Sequence, residues 1–315
     1  MSSHLKRILI AAVGIPLFVV VSFIGGIPFF LTISCISALA LHEFYKLARL
    51  KGSEPQIALG LIAGFFINLS FFHDKLQSAV LNLLGKNNIF IPFPSQTQLL
   101  YIMLTIIIVT LCLIELFRNR GSAVLNLSVT IFGLLYIPFF LGTFIGLREL
   151  FVPFDFPVSR FFVEPESFTN PYVRNEIYRW GAYTVISILA IIWICDSAAY
   201  YIGSAAGRHK LFPRVSPNKS WEGAFAGFIS AVIAGILFKI FFLNYLSLGS
   251  AVILGVIIGT IGQLGDLVES LLKRDAGVKD SSNIIPGHGG VLDRFDSLIL
   301  VSPVIYLYID FILFS

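Results

Sequence analysis

Two stretches in the last third of the chain combine acids and cations in a pattern that can do chemistry. The first begins at Asp196, which stands inside an apolar run, and continues into the cation-rich residues 207–223. A charged side chain inside a membrane span costs roughly 2.5–3.5 kcal/mol on insertion scales, so Asp196 is by default a functional candidate. Ser220 is placed to cap a following helix, and a helix N-terminus beside cations binds anions. Taken alone, this loop fits a positively charged membrane anchor equally well.

The second stretch has acids at both of its ends. Asp266, Ser270 and Lys273 are spaced i, i+4 and i+7, so they share one face of a helix. Asp293 and Asp296, three residues apart, open the last apolar run. Glycines on the same span as Asp266 would let neighbouring helices approach closely. These glycines are Gly255, Gly259, Gly262 and Gly265.

Further cations and a glycine-rich turn lie between these acids. Arg274 and Lys279 follow Lys273, and residues 286–290 read Pro-Gly-His-Gly-Gly. Backbone N–H groups of such a turn can face an anion, and Lys and Arg side chains bind phosphate oxygens. Carboxylates without nearby cysteines favour a hard cation such as Mg2+, which often bridges phosphates. The pattern therefore predicts phosphoryl or nucleotidyl transfer, in which catalysis is mainly positioning and charge neutralisation.

The composition places these residues in a membrane protein. Hydrophobic residues make up 57% of the 315 residues, charged residues only 13%, and the mean hydropathy is +0.87. A soluble domain would carry about 25% charged residues. The net charge of +4 includes no long basic tract, so the sequence does not indicate a nucleic-acid partner. The three cysteines stand in apolar runs without metal-ligand spacing and are interpreted as packing residues.

The apolar runs predict an all-α, polytopic membrane helix bundle of about nine transmembrane helices. We divide it into N-terminal membrane helices over 1–180, with an outer loop over 148–180, and a catalytic membrane domain over 181–315. A short interfacial helix is expected over 76–84. The predicted spans are 5–24, 28–48, 56–73, 97–117, 122–147, 181–205, 221–243, 249–272 and 295–314.

The Lys and Arg distribution predicts that the N-terminus is cytoplasmic. With that orientation, roughly twice as many Lys and Arg residues fall on the cytoplasmic side as on the other. Both chemical stretches then face the cytoplasm. Glu43 and Glu115, which stand beside Lys46 and Arg118, are interpreted as charges at interfacial helix ends.

The run from Ser270 through Lys273-Arg274, Lys279-Asp280, Pro286-Gly-His-Gly-Gly and Asp293-Arg294-Phe-Asp296 closely resembles the signature of the phosphatidate cytidylyltransferase family. Residues 196–200 and 216–223 are also similar to motifs of that family. Its members often have Lys where Asn218 stands, and Thr where Ser197 or Ser220 stands. The resemblance is specific over roughly 193–300, and over 1–180 it extends only to the presence of hydrophobic spans.

The resemblance implies the Mg2+-assisted reaction of CTP with phosphatidate to give CDP-diacylglycerol and pyrophosphate. It implies that Asp266 and Asp293 hold Mg2+, supported by Asp196 and Asp296. The implied catalytic residues are Asp266, Asp293, Lys273 and Arg274. The implied substrate-binding residues are Lys210, Ser216, Lys219, Glu222, Ser270, Lys279, Asp280, His288, Gly289, Gly290 and Arg294.

The expected partners are CTP, phosphatidic acid and the lipid bilayer, in a multi-pass protein of the inner cell membrane. A homodimer is left open. Two other functions also remain open. A CTP-dependent polyprenol or other lipid kinase would share the spans and the nucleotide chemistry. A secondary transporter would need midplane carboxylates and broken helices in both halves, whereas the ionisable residues here are confined to one end.

Overall fold

The computed structural model describes residues 3–86, 92–151, 170–285 and 289–314, with only the backbone described for residues 3–10. Within these ranges the fold is all-α apart from one small hairpin, so the predicted fold class is confirmed. The helices are α1 Ser3–Ile24, α2 Gly26–Arg49, α3 Ile57–Ser70, α4 His73–Lys86, α5 Gln96–Phe117, α6 Ala123–Glu149, α7 Pro171–Ala206, α8 Trp221–Phe241, α9 Leu248–Asp275 and α10 Leu292–Leu313. The hairpin strands are β1 Lys210–Phe212 and β2 Ser216–Ser220.

Seven of the described helices are long and apolar enough to cross a membrane. The number becomes eight if α3 and α4, which meet at a bend of 86°, form one broken span. The described apolar part of α1, Ala11–Ile24, is shorter than a full span. A polytopic membrane bundle is therefore confirmed, while the count of nine and the cytoplasmic N-terminus stay predictions. The helix predicted over 76–84 is present as α4.

Helix α7 begins earlier than the sequence predicted. We assigned residues up to 180 to an outer loop, but the helix starts at Pro171. The Asn170 side chain accepts a hydrogen bond from Tyr172 N, and a proline at the first helical position is already fixed in helical φ. This local N-cap extends the helix beyond its apolar part. The rest of the predicted loop, residues 152–169, lies outside the described residues.

Close backbone packing brings α8 against α7 and α9. A Cβ on Gly223 would lie 2.6 Å from Ala199 O in α7, and a Cβ on Gly255 would lie 2.6 Å from Val232 Cα in α8. These distances are shorter than any real Cβ contact, so only glycine permits this approach. Gly265 makes a similar approach to α10, where its Cβ would lie 2.8 Å from Asp296 O. The predicted close approach is therefore confirmed at Gly255, Gly259 and Gly265, whereas a Cβ on Gly262 would make only ordinary contacts, the nearest at 3.5 Å.

The larger of two hydrophobic clusters among the described residues runs through both predicted domains, from Val21 in α1 to Ile309 in α10. The division at residue 180 stays a prediction about function. The packing brings the C-terminal ends of α2, α7 and α9, the hairpin, and the N-terminal ends of α8 and α10 to one end of the bundle. This end, the site end, is where Lys219 meets Asp266 and Glu43 meets Ser281.

Candidate active site

A polar cavity of about 500 Å³ lies at the site end between α7, the hairpin, α8 and α9. Asp196, Lys210, Lys219 and Asp266 line it, so it joins the two stretches that the sequence singled out. Lys219 Nζ lies 2.7 Å from Asp266 Oδ2, and Ser270 Oγ donates to Asp266 Oδ1 at 3.2 Å. The predicted face of α9 carrying Asp266 and Ser270 therefore meets the predicted cation of the hairpin.

Three carboxylates from three different helices interact electrostatically beside this cavity. Asp196 of α7 and Asp266 of α9 repel each other, and Asp296 of α10 is repelled by both. Like charges brought together away from bulk water are costly unless a cation neutralises them. Lys219 supplies one positive charge. A hard divalent cation, which prefers carboxylate oxygens, would fit this set of donors.

In the described ranges, no three or more acidic, histidine or cysteine side chains are already arranged to hold a metal ion. Mg2+ in proteins usually takes one or two carboxylates and completes its shell with water and phosphate oxygens. Asp266 fits such a role because its side chain lines the cavity and is 34% exposed. Asp196 lines the same cavity.

Asp293 has a different environment from Asp266. Its Oδ1 lies 2.7 Å from Lys273 Nζ, and its Oδ2 accepts from Gly290 N at 2.7 Å and from Ser281 N at 3.0 Å. Its side chain is only 7% exposed. These donors occupy both oxygens and hold the described parts of the loop between α9 and α10, which we call the signature loop, against the start of α10. The assignment of Asp293 as a metal ligand stays a prediction, and in this geometry Asp293 positions Lys273.

Glu269 was missed by our sequence reasoning. It is fully buried, and its Oε2 lies 2.6 Å from Lys273 Nζ. Lys273 thus bridges Glu269 and Asp293 in a buried ion triad. The available signal was the i, i+4 spacing of Glu269 and Lys273 on one helix face.

Replacing Lys273 by methionine is expected to destabilise the protein by roughly 3–5 kcal/mol, because two buried carboxylates lose their counter-ion. Lys51→Met is the matched control. Lys51 pairs with Asp275 at 3.4 Å with both side chains more than half exposed, and such pairs contribute about 1 kcal/mol or less. Unfolding of both variants in detergent measures the difference. Equal losses would show that the triad is not effectively buried.

Glu43 was interpreted as a helix-end charge, and that interpretation is wrong. The residue is fully buried. Its Oε1 accepts from Ser282 Oγ at 2.5 Å and Val291 N at 3.0 Å, and its Oε2 accepts from Leu292 N at 2.7 Å. Ser281 Oγ lies 3.0 Å from the same Oε2. Glu43 of α2 therefore satisfies backbone N–H groups at the beginning of α10, where a negative charge is favoured.

Glu115 is buried as well, but it does not line the cavity, and its hydrogen bonds are made elsewhere in the bundle. It pairs with Arg118 at 3.0 Å, as its place beside that residue suggested. It also accepts from Gln56 Nε2 and from Asn126 Nδ2, each at 2.7 Å. Glu115 thus joins α5 to the segment before α3 and to α6, rather than standing at an exposed helix end.

Two predicted site residues hold the hairpin in place. Glu222 Oε1 lies 2.6 Å from His209 Nδ1 and closes the base of the hairpin. Arg274 Nε donates to Val215 O at 3.3 Å and so ties the end of α9 to the hairpin turn. Ser220 caps α8 as predicted, because its Oγ accepts from Gly223 N. The hairpin itself was not predicted, because residues 207–223 carry no apolar alternation.

The remaining predicted site residues are placed as follows. Ser216 is half-buried on β2, Lys279, Asp280 and Arg294 are exposed, and His288 lies outside the described residues. Gly289 has a φ of +81°, a left-handed conformation that favours glycine. A Cβ on Gly290 would overlap Ser281 Oγ and lie 2.5 Å from Glu43 Oε2. The position of Gly290 therefore depends on its close contact with the Ser281 hydroxyl and the Glu43 carboxylate.

Gly290→Ala is expected to displace the loop and lower kcat about 10–100-fold, because small misplacements of catalytic groups are costly. The clash is with a neighbouring hydroxyl and carboxylate rather than with the residue's own backbone. Gly249→Ala on α9 is the control, since its nearest neighbour to an added Cβ is 3.7 Å away. Initial rates of nucleotidyl transfer by both variants measure the effect. An unchanged rate for Gly290→Ala would contradict the packing of the turn.

The fold and the site together define a class, a polytopic membrane protein in which carboxylates and lysines, the side chains that phosphate chemistry uses, meet at one end of the bundle. The sequence model described as "Cytidylyltransferase family" matches residues 5–312. The chain belongs to this family and is a nucleotidyltransferase.

Individual relatives agree with this assignment. The phosphatidate cytidylyltransferase of Synechocystis sp. is 30% identical over 316 residues, which cover 98% of this chain and 97% of the relative. Proteins of the same name are 44% identical in Haemophilus influenzae and 41% identical in Bacillus subtilis. Those two alignments cover 42% and 45% of this chain and about half of each relative, 48% and 52%.

Proposed function

We propose that this chain transfers the cytidylyl group of CTP to phosphatidate, forming CDP-diacylglycerol and pyrophosphate. The observation that carries the proposal is the cavity in which Lys219 and Asp266 lie 2.7 Å apart, at one end of a membrane bundle. A cavity with both charges at this position suits a water-soluble nucleotide and a lipid headgroup together. The names of the relative that aligns over almost the full chain and of those that align over less than half of it support the same reaction.

In this reaction a phosphate oxygen of phosphatidate attacks the α-phosphorus of CTP, and the bond to the pyrophosphate breaks. The nucleophile belongs to the substrate, so no covalent enzyme intermediate is needed. Both substrates are anions, and Lys210 and Lys219 lie where they would offset the repulsion between them. Their ammonium groups would bind phosphate oxygens and hold the two reactants in line.

A Mg2+ ion bound by Asp266, with Asp196 and Asp296 nearby, would neutralise charge on the triphosphate and on the leaving pyrophosphate. Lys219 pairs with Asp266 in the structure, and we propose that it turns to a phosphate when the carboxylate binds the cation. Asp293, Lys273, Glu269 and Glu43 would position the signature loop. The other implied substrate contacts, including Arg274, Lys279 and Arg294, are retained as proposals.

We also propose that the site end faces the cytoplasm in the inner cell membrane. CTP is a cytoplasmic nucleotide, and the Lys and Arg distribution favours this orientation. The confinement of the charged cluster to one end of the bundle disfavours a transporter, whose sites lie near the midplane. A homodimer remains a proposal, for which the mass of the purified protein in detergent is the measurement.

Purified protein with CTP labelled at the α-phosphate, phosphatidate and Mg2+ tests the function. Labelled CDP-diacylglycerol with an equal amount of pyrophosphate is the expected result. Release of CDP with phosphorylation of an added lipid alcohol would instead indicate a lipid kinase. Formation of neither product, from protein that is folded and retains bound lipid, would overturn the proposal.

A further inference from the structure

A second polar cavity lies at the end of the bundle opposite the site end, and we call it the far cavity. It is formed chiefly by the starts of α4 and α5 and the C-terminal ends of α6 and α10. At about 1.5 Å of rise per residue, Asp310 in its wall lies roughly 25 Å along α10 from Asp293 at the site end. Its volume of about 360 Å³ is in the range of pockets that hold small organic ligands.

The described lining of the far cavity includes three carboxylates, but no Lys or Arg. The carboxylates belong to Asp74, Glu149 and Asp310. Asp74 is already paired, because its Oδ1 lies 2.7 Å from His73 Nδ1. Glu149 and Asp310 form no ion pair with any cation of the described ranges. Carboxylates held away from bulk water are costly unless a positive charge accompanies them, so this wall favours a cationic ligand.

Glu149 needs such a ligand most, because one of its oxygens has no donor. The residue is only 6% exposed, and its Oε2 has no hydrogen-bond partner in the part of the chain that the structure describes. The neighbouring Arg148 is engaged elsewhere, since its Nε donates to Ser22 O at 2.9 Å and its guanidinium lies 4.1 Å from the centre of the Tyr178 ring. Arg148 and Lys75 therefore offset the charge of Glu149 only from a distance. A buried acceptor without a donor is rare in folded proteins and indicates a missing partner.

Aromatic rings form much of the remaining wall. Phe71 and Tyr306 meet edge to face with their ring centroids 6.1 Å apart, and Phe311 and Phe314 complete the aromatic lining. Gly146 permits this arrangement, because a Cβ at that position would lie 2.8 Å from Tyr306 Cε2. Carboxylates beside aromatic rings attract organic cations twice, through ion pairing and through the negative faces of the rings.

The donor set fits an ammonium group better than a metal ion. Mg2+ and Ca2+ need several oxygens that converge on one point, and no three acidic or histidine side chains of the described ranges do so here. A primary ammonium group carries three N–H donors and can divide them between separate carboxylates. A quaternary ammonium group has no N–H and could not satisfy Glu149 Oε2. The carbon chain of a primary amine would contact the aromatic rings.

We propose that the far cavity binds a primary alkylammonium group, with Glu149 and Asp310 as its carboxylate partners. The site is separate from the polar cavity at the site end, and the inference does not depend on the proposed function. Either a soluble amine or the headgroup of an amine-bearing lipid can supply the ammonium group. Two binding measurements separate these sources.

Isothermal titration of the purified full chain in detergent with 1,4-diaminobutane measures binding of a soluble amine. We expect saturable binding that is weakened about 10–100-fold in Glu149→Gln, the range for a lost hydrogen bond to a charged group. Glu176→Gln is the matched control, because it removes a carboxylate near the same end of the bundle, on α7, that does not line the far cavity. Equal weakening in both variants, or equal competition by tetramethylammonium, would overturn the proposal.

Native mass spectrometry of protein released from nanodiscs measures binding of a lipid amine. The nanodiscs contain equal amounts of phosphatidylethanolamine and phosphatidylcholine, whose headgroups carry a primary and a quaternary ammonium group. Preferential retention of phosphatidylethanolamine that is lost in Glu149→Gln but kept in Glu176→Gln would support the site with a lipid as the source. Thermal unfolding checks that each variant is folded, and Asp310→Asn replaces Glu149→Gln if that variant is not. Binding in neither measurement would overturn the proposal.

Discussion

Asp266→Asn is expected to lower kcat for CDP-diacylglycerol formation by about 10³-fold, the range found when a group stabilising transition-state charge is removed. Asp266 is the carboxylate that combines access to the polar cavity with contacts to both Lys219 and Ser270. Asparagine has nearly the same shape, so the helix packing should persist. The loss of negative charge removes the proposed cation ligand and leaves Lys219 without its partner. Rates at several Mg2+ concentrations measure the effect.

The control for Asp266→Asn is Asp275→Asn on the same helix. Asp275 forms an exposed pair with Lys51 and does not line the cavity. We expect its kcat to stay within about twofold of the unsubstituted protein, as for most surface changes. The dependence on Mg2+ should shift to higher concentration only in Asp266→Asn. Full activity with an unshifted Mg2+ dependence in that variant would refute the assignment of Asp266.

Glu43→Gln is expected to lower kcat about 100-fold, although Glu43 does not line the polar cavity. Its carboxylate accepts from Val291 N and Leu292 N, and from the hydroxyls of Ser281 and Ser282. A glutamine has one acceptor oxygen, so at least one buried donor loses its partner at a cost of roughly 1–3 kcal/mol. The start of α10, which carries Lys273's partner Asp293, would shift as a result. Glu43 is thus a positioning residue.

Glu115→Gln is the matched control for Glu43→Gln, since it also removes a buried carboxylate that accepts several hydrogen bonds. Both variants should lose thermal stability to a similar degree. Only Glu43→Gln should lose kcat when rates are expressed per folded molecule. If the two variants lose kcat equally, Glu43 acts through general stability, and its specific role in the loop is excluded.

The membrane class and most helices were predictable because they depend on local composition. Long apolar runs need little more than bilayer thickness to be recognised, and the ends of α2, α5 and α8 fall close to their predicted positions. The start of α7 at Pro171 and the hairpin at 210–220 were missed. The first depends on a single N-cap, and the second on contacts such as that between His209 and Glu222.

The sequence by itself predicted the chemical character of the site, because carboxylates, lysines and a glycine-rich turn at fixed spacing are the groups that phosphate chemistry uses. Only the tertiary structure decided how these residues divide their work. It placed Asp266 at the cavity and surrounded Asp293 with donors. It also joined Glu43 to Leu292, 249 residues away along the chain. Such partners are chosen by helix packing, and neither the composition nor the spacing of one segment contains that information.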